Sequence, residues 1–236
     1  MVRAAVYLSV CVFLVAFLLP NAVVFSVEPE RLTSDGRVKF SPVFVNAGEL
    51  VYVDMVSPVL TRIQRFHLAD GRIEALFPEA KTQEFEPAFS ADGRTCAFVQ
   101  TRGSLSLALV IHDLEESRSA ELPPPGGFAG YRTPTFSPDG TRVVFSMADD
   151  GLQDLFSVDT QAANRVKLTK NNGMNYWPCF SPDGNRILFG STRDGNYEIY
   201  SMIFLQNHTR CSLHLRQHTQ RLRAKCEAGL ISFQQY

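Results

Sequence analysis

Two aspartates occupy equivalent places in a repeated five-residue motif and could be taken for a catalytic pair. Asp139 and Asp183 lie in two copies of Phe-Ser-Pro-Asp-Gly that begin 44 positions apart, at Phe136 and Phe180. Paired carboxylates are the groups that general acid and base catalysis uses. However, Pro, Asp and Gly in this order also form a tight turn, because Pro presets φ and Gly suits the last turn position. Since both aspartates recur with the motif, we interpret them as turn residues and assign them no catalytic role.

Cysteine and histidine residues near the C-terminus have a spacing that a zinc site could use. Cys211, His214 and His218 fall at positions i, i+3 and i+7, and Cys226 follows. Thiolate and imidazole are common zinc ligands. The alternative is that the two cysteines and Leu215 belong to a weak apolar stripe on a basic helix. Because no Cys-x-x-Cys pair accompanies them, we assign no metal site and expect no cofactor.

Other sequence motifs of catalysis are absent. The sequence contains no Gly-x-Ser-x-Gly, no His-Glu-x-x-His, no Gly-x-x-x-x-Gly-Lys and no Asp-x-Asp-x-Asp-Gly. The formal net charge of −1 gives no overall field that would attract nucleic acid. These observations favour a non-enzymatic protein that does not bind nucleic acid.

The five-residue motif belongs to a longer repeat. Four copies, anchored on Pro42, Pro87, Pro134 and Pro178, follow one another at intervals of 45, 47 and 44 residues. In every copy a Phe stands two positions after the proline and a Gly six positions after it. Apolar residues recur nine and eleven positions after the proline: Val51 and Val53, Cys96 and Phe98, Val143 and Phe145, Ile187 and Phe189.

Each copy of the repeat predicts a group of short antiparallel strands. The segment after the first turn alternates polar and apolar residues, which is typical of a strand buried on one face. A second turn, a third strand and in most copies a fourth strand follow. Four strands repeated at this interval predict the blades of a β-propeller. We therefore expect an all-β propeller of about four four-stranded blades, either a closed four-bladed ring or part of a larger propeller, with Phe89, Phe136 and Phe180 buried between the sheets.

The repeat resembles the WD-like repeat of TolB-type propellers, and also the propellers of prolyl-oligopeptidase-type enzymes, over about residues 30–202. The copies at Pro134 and Pro178 match closely, the copy at Pro87 keeps Phe-Ser-Ala-Asp-Gly, and the copy at Pro42 keeps only the Phe, the Gly and the apolar positions. The resemblance implies a propeller fold and an exported binding scaffold. After Met202 the pattern stops, and residues 203–236 carry five Lys or Arg against one acid. We expect these residues to form a basic tail that is helical or disordered.

The N-terminus has the composition of a secretory signal. Arg3 precedes a charge-free segment, Ala4 to Leu19, and small residues follow up to Ser26. The segment is shorter than the roughly 20 residues that span a bilayer, although it could remain as an uncleaved anchor. We therefore predict a signal peptide over residues 1–26, propeller repeats over residues 27–202, and a periplasmic or secreted protein that could meet a membrane only through an uncleaved N-terminal segment.

Loops at one end of the predicted blades are the expected binding surface. In an antiparallel blade, the loop leading into the first strand and the loop between the second and third strands emerge at the same end. That end collects aromatic, arginine and acidic side chains, which interfaces favour: Tyr131, Arg132, Tyr176, Trp177, Arg193 and Asp194. The alternative for Tyr176 and Trp177 is that they pack against a neighbouring blade.

The sequence thus predicts an exported scaffold that binds another protein, an envelope component or a ligand. The alternative is a propeller derived from a prolyl-oligopeptidase-like serine peptidase without its hydrolase domain. A reading frame for a hydrolase next to this one in the genome would favour that alternative.

The predicted signal peptide can be tested on the protein in its source cells. If the segment Ala4 to Leu19 directs export, the mature chain begins near Val27 because the signal is removed on export. Cell fractionation followed by mass spectrometry of the intact chain measures this directly. Full-length protein found only in the cytoplasm would contradict the prediction.

Overall fold

The regular secondary structure of the described residues consists of β-strands, and these strands form antiparallel sheets. The computed structural model describes residues 28–103, 106–126, 130–149, 151–170 and 173–205, together with the backbone of residues 214–217, 220–227 and 230–234. The chain divides into two compact units, Met1–Ser34 and Asp35–Tyr236. In the first unit, residues 28–34 have no regular secondary structure, and the predicted signal peptide lies outside the described residues. No helix in the described part of the chain is long and apolar enough to cross a membrane.

The first three sheets have four strands each, joined in sequential order. The strands of the first sheet are β1 (Lys39–Asn46), β2 (Glu49–Ser57), β3 (Leu60–His67) and β4 (Ile73–Ala75). The second sheet contains β5 (Glu84–Phe89), β6 (Thr95–Arg102), β7 (Ser106–Asp113) and β8 (Arg118–Leu122). The third sheet contains β9 (Tyr131–Phe136), β10 (Arg142–Asp149), β11 (Leu152–Asp159) and β12 (Val166–Lys167).

The fourth sheet has three strands, β13 (Asn175–Phe180), β14 (Arg186–Ser191) and β15 (Glu198–Ile203). All pairings in these four sheets are antiparallel. The four sheets begin at the four copies of the repeat, which confirms the predicted blades; we refer to them as blades 1 to 4.

A fifth sheet follows in the C-terminal segment. Its strands are β16 (His214–Gln217), β17 (Gln220–Glu227) and β18 (Leu230–Gln234), and the order is again sequential. The expectation of a helix or of disorder is therefore wrong for these three segments. The physical reason is visible in β17, where Leu222 and Ala224 alternate with Arg221 and Arg223, a period of two that suits a strand rather than a helix.

The repeated motif forms the turn between the first two strands of a blade. In blade 4, the Ser181 hydroxyl donates a hydrogen bond to Asp183 at 2.5 Å, and the Asn185 amide donates to the same carboxylate at 3.1 Å. These hydrogen bonds, with that from Ser181 the strongest, lower the pKa of Asp183 to about 2. Gly184 has a φ of 71°, which glycine adopts without steric cost. The structure confirms Asp183 as a turn residue, and Asp139 accepts the matching bond from Ser137.

Apolar clusters join each blade to the next. Between blades 1 and 2, Val53 and Ile63 pack with Phe98. Between blades 2 and 3, Val99 packs with Phe145. A further cluster joins blades 3 and 4, and its buried members are Val144, Leu155, Ile187, Phe189 and Phe204. Of the three phenylalanines expected between sheets, Phe136 is buried, whereas Phe89 and Phe180 are half-buried at the margins of their clusters.

Blade 1 departs from the register that the sequence predicts. Phe89 pairs with Cys96 in blade 2, seven positions along, whereas Phe44 pairs with Leu50 in blade 1, six positions along. The turn in blade 1 is one residue shorter, and a shift of one residue moves side chains to the opposite face of a strand. Val51 and Val53 therefore lie on the face that meets blade 2, and the alignment of these residues with Cys96 and Phe98 is wrong.

A buried carboxyl group links blades 1 and 2. Glu84, on β5, is fully buried, and its Oε2 accepts a hydrogen bond from the Ile63 amide at 2.9 Å. Its own carbonyl accepts a bond from the Thr61 hydroxyl at 2.8 Å. Burial raises the pKa of Glu84 to about 7, although the Ile63 amide and Arg62 act in the opposite direction.

The raised pKa of Glu84 makes the stability of the protein depend on pH. Its ordinary pKa is 4.5, so the stabilising contribution is complete below pH 4.5 and is lost as the pH rises through about 7. In Glu84→Gln, the amide oxygen of the glutamine can still accept the hydrogen bond from the Ile63 amide, but the side chain no longer titrates. We expect the variant to be more stable than the wild type at pH 8 by up to about 3 kcal/mol, and to lose this advantage at pH 4.5.

Urea unfolding at pH 4.5, 6 and 8 measures this difference. Glu79→Gln, at an exposed glutamate of the preceding loop, is the matched control and should follow the wild type. A parallel pH profile for Glu84→Gln and the wild type would show that the pKa of Glu84 is the same in the folded and the unfolded protein, and would contradict the prediction.

Candidate interaction site

The first strand of every blade has the same backbone irregularity. The residue directly before the repeat proline has a positive φ: 51° at Ser41, 50° at Glu86, 48° at Thr133 and 54° at Trp177. The pairing of each first strand with its neighbour shifts at this point, as in a β-bulge. A positive φ costs a non-glycine residue about 1–3 kcal/mol. Because four blades share it, the bulge belongs to the repeat and directs one side chain of each blade out of the regular pleat.

The bulge residues of blades 2 and 3 are joined by a carboxylate. Glu86 Oε2 accepts a hydrogen bond from the Thr133 amide at 2.6 Å, and Glu86 Oε1 lies 3.6 Å from Arg132 Nη1. The Thr133 hydroxyl lies 3.3 Å from the hydroxyl of Ser146. The Arg132 side chain is 46% exposed in this ion pair, so it can still meet a group from outside.

Aromatic residues of blade 4 continue this surface. Trp177 is 60% exposed, and its ring centroid lies 5.6 Å from that of Tyr176 and 5.5 Å from that of Tyr197. Burial raises the pKa of Tyr176, with smaller effects of Tyr197 and Glu86 in the same direction and of Arg132 in the opposite one. Tyr176 lies beside Trp177 on β13, and β13 packs against β9, the strand that carries Arg132. We call this surface the bulge patch: Glu86, Arg132, Thr133, Tyr176, Trp177 and Tyr197.

Three of the six predicted site residues belong to the bulge patch, one is buried, and two form a separate network. Arg132, Tyr176 and Trp177 come together in the bulge patch. Tyr131 is 1% exposed and its hydroxyl donates to the Pro123 carbonyl at 3.0 Å, so it is a core residue and offers no binding surface.

Arg193 and Asp194 form a separate network within blade 4. The Arg193 guanidinium lies 4.4 Å from the centroid of the Tyr200 ring and donates to Asn175 at 3.2 Å. Asp194 accepts a hydrogen bond from the Tyr200 hydroxyl. These contacts hold the turn after β14 in place; a binding role for the two residues stays a prediction.

Sequence reasoning missed Glu86, Thr133 and Tyr197. The first two could have been found by their position directly before the repeat prolines. Tyr197 carries no repeat signal, because only the folded blade brings it to Trp177. Among the described residues, no group of three or more His, Cys, Asp or Glu side chains could hold a metal ion.

Comparison with known proteins gives a family and a fold. Residues 30–221 match the family model described as the TolB beta propeller domain. The structure of TolB from Acinetobacter baumannii has a TM-score of 0.62 and 19% identity, and the match covers 84% of this chain and 53% of that one. A putative TolB from Agrobacterium tumefaciens has a TM-score of 0.53 and 16% identity, over 66% of this chain and 62% of that one.

A structure from a study of two prolyl endopeptidases has a TM-score of 0.53 and 14% identity. The match covers 80% of this chain and 32% of the endopeptidase chain. At these identities the likeness shows the fold alone. The chain spans 53% and 62% of the two TolB structures.

Close packing at Gly190 positions the bulge patch. A Cβ atom at residue 190 would lie 3.0 Å from Cε3 of Trp177, which is closer than such atoms normally approach. We expect Gly190→Ala to push the indole ring outward and shift its fluorescence emission to longer wavelength. Stability should change by less than about 1 kcal/mol, because the exposed ring can move.

Trp177 is the single tryptophan of the chain, so intrinsic fluorescence reports on the patch alone. Gly48→Ala is the control, because the added Cβ there makes only an ordinary contact with Asn46. An unchanged emission maximum in folded Gly190→Ala would show that Trp177 does not rest on Gly190 in solution.

Proposed function

Because the chain belongs to the TolB β-propeller domain family, we propose that it is an exported, non-enzymatic module that binds another protein through the bulge patch. The observation that carries this proposal is the exposed pair of Trp177 and Tyr197 in blade 4, where β13 packs against β9, the strand whose Arg132 forms an ion pair with Glu86. Tryptophan, tyrosine and arginine are the residues that dominate the energetics of protein interfaces.

The scaffold under the patch favours binding. Glu86 and Thr133 are tied across two blades by a 2.6 Å hydrogen bond, and the Trp177 ring is supported by Gly190. Side chains that are already held in place lose less conformational freedom when a partner binds, so less binding energy is spent on ordering them. Bulges that recur in every blade are a means of presenting such side chains.

The chemistry of the patch indicates what the partner segment carries. Two exposed aromatic rings accept an apolar or aromatic side chain, since such pairs add stability beyond the area that they bury. Arg132 can receive a carboxylate in addition to Glu86, because its guanidinium has five N–H donors. We therefore propose a protein segment with an apolar residue next to an acidic one.

The proposed export rests on the N-terminal sequence. An exported protein would meet a partner in the cell envelope or outside the cell. The charge-free segment Ala4 to Leu19 follows Arg3 in the order typical of a signal peptide.

Site-specific photocrosslinking tests the proposed function. A benzoylphenylalanine at position 197, introduced in the source organism, should give an adduct with one protein, and Arg132→Glu should abolish it. Arg118→Glu, at an arginine whose side chain is 72% exposed, is the control and should leave the adduct unchanged. A crosslinker at Val59, which is 76% exposed, should not give the same adduct.

The purified adduct partner then allows a measurement of affinity. Trp177→Ala should weaken its binding about 30-fold, the equivalent of a hot-spot loss of about 2 kcal/mol. An adduct at position 59 equal to that at 197, or one insensitive to Arg132→Glu, would argue against the bulge patch as the binding surface.

A further inference from the structure

The hairpin between β2 and β3 of blade 1 ends in exposed apolar residues. Val59, in the turn itself, is 76% exposed, and Met55 and Val56 are each 37% exposed. Val38, whose carbonyl accepts a hydrogen bond from the Met55 amide at 3.0 Å, is 59% exposed. With Pro58, which is also exposed, these residues form a surface that we call the apolar tip: Val38, Met55, Val56, Pro58 and Val59. Apolar side chains that are grouped at a surface, unlike single ones, mark a site of contact with another molecule.

The turn itself does not require an apolar residue at its centre. Ser57 pairs with Leu60, so Pro58 and Val59 form a two-residue turn. Proline suits the second position of a turn, but the third position, held by Val59, is one that Gly, Asn and Asp fill most often. The corresponding connections of the other blades follow that rule. They contain Arg102-Gly103, Asp150-Gly151 and Asp194-Gly195. Blade 1 is thus apolar where the sequences of the other three blades are polar.

The tip is held in shape by the loop that leads to blade 2. The side-chain amide of Gln83 donates a hydrogen bond to the Val59 carbonyl at 2.9 Å. The same loop is tied to β3 by Arg62, which donates to the Ala80 carbonyl at 3.2 Å. A loop that is already ordered loses less conformational freedom when its side chains meet another surface.

The composition of the tip favours a lipid surface over a protein groove. Its side chains are those of valine, methionine and proline, and none is the Trp, Tyr or Arg that dominates the energetics of protein interfaces. The two cations that flank Val38 are already paired, because Arg37 lies 2.9 Å and Lys39 3.7 Å from the carboxylate of Asp54. Contact through the tip therefore depends on the burial of apolar side chains among lipid headgroups, with little contribution from charge.

The order of the chain favours the same occupant. Val38 directly precedes β1 and is bonded to Met55, so the chain enters blade 1 at the apolar tip. The charge-free segment Ala4 to Leu19 lies upstream, and a segment of this kind meets a membrane during export. The first part of the propeller to follow that segment in the chain is thus the end of blade 1 that carries the tip.

We propose that the apolar tip binds blade 1 to the surface of a lipid membrane, with Val56 and Val59 inserted among the headgroups. The sequence predicted a membrane contact only through the N-terminal segment, and the tip is a second contact that does not need that segment. Because a few apolar side chains give weak and reversible membrane binding, a chain without the segment exchanges between membrane and solution. The proposal is independent of the bulge patch, since it rests on none of its residues.

Photocrosslinking to lipid tests the proposal in the full chain. A benzoylphenylalanine at position 59, irradiated with phosphatidylcholine vesicles, should give an adduct that is heavier than the chain by one phospholipid. The same group at position 199 is the matched control, because Ile199 is 77% exposed, and it should give little adduct. Val56→Asp should lower the adduct yield at position 59 about tenfold, because a carboxylate opposes insertion into lipid. Val56→Ile, which stays apolar, and Ile73→Asp, at a 43% exposed residue of β4, should leave the yield unchanged.

Vesicle composition and salt separate apolar insertion from attraction by charge. The yield at position 59 should be the same at low and high salt and with phosphatidylglycerol added, and Trp177→Ala should not change it. A yield at position 59 no higher than that at 199, or one insensitive to Val56→Asp, would overturn the proposal. An adduct that forms only with phosphatidylglycerol and is lost at high salt would also overturn it. In the source cells, a crosslink from position 59 to a protein and not to lipid would show that the tip binds a protein instead.

Discussion

Both faces of a blade in this chain are apolar, and the need to cover both governs the rest of the structure. In blade 2, Phe98 faces blade 1 and Val99, the next residue, faces blade 3; each belongs to a different buried cluster. Burial of apolar surface is the main favourable term in folding, about 25 cal/mol for each Å². A sheet of this kind is therefore stable between two neighbours, and the two terminal blades each have one face that no blade within the repeat covers. The high exposure of Phe44 in blade 1 and of Ile199 in blade 4 follows from that constraint.

The parts of the fold that depend on local chemistry could be predicted from the sequence. The Pro-Asp-Gly turn is specified by its own residues, and the period-two pattern after it specifies a strand, so the blades and their order follow. The register of blade 1 could not be predicted by counting from the proline, because a turn shorter by one residue exchanges the two faces of a strand. The strands of the fifth sheet were missed for a different reason. The spacing of Cys211, His214 and His218 suits one face of a helix, whereas the alternation of apolar and basic residues in β17 suits a strand.

The candidate site also combines residues that the sequence could predict with residues that it could not. The rule that certain loops emerge at one end of a blade depends on topology alone, and it predicts that Arg132, Tyr176 and Trp177 share one surface. It does not give the direction of a side chain, and so it included Tyr131, which points into the core. Glu86 contacts Thr133 across 47 residues, and Tyr197 reaches Trp177 only when blade 4 has formed. Contacts of this kind depend on how one blade lies against the next, which no local pattern in the sequence encodes.

Trp177 is held from two directions by its own blade. Its ring rests on Gly190 and lies beside the rings of Tyr176 and Tyr197, yet 60% of the residue remains exposed. A side chain that its neighbours already restrict loses less conformational freedom when a partner binds, so it binds at lower entropic cost. The strained bulge at residue 177 therefore has a consequence for binding, because it holds the indole outside the regular pleat while the blade below keeps it ordered.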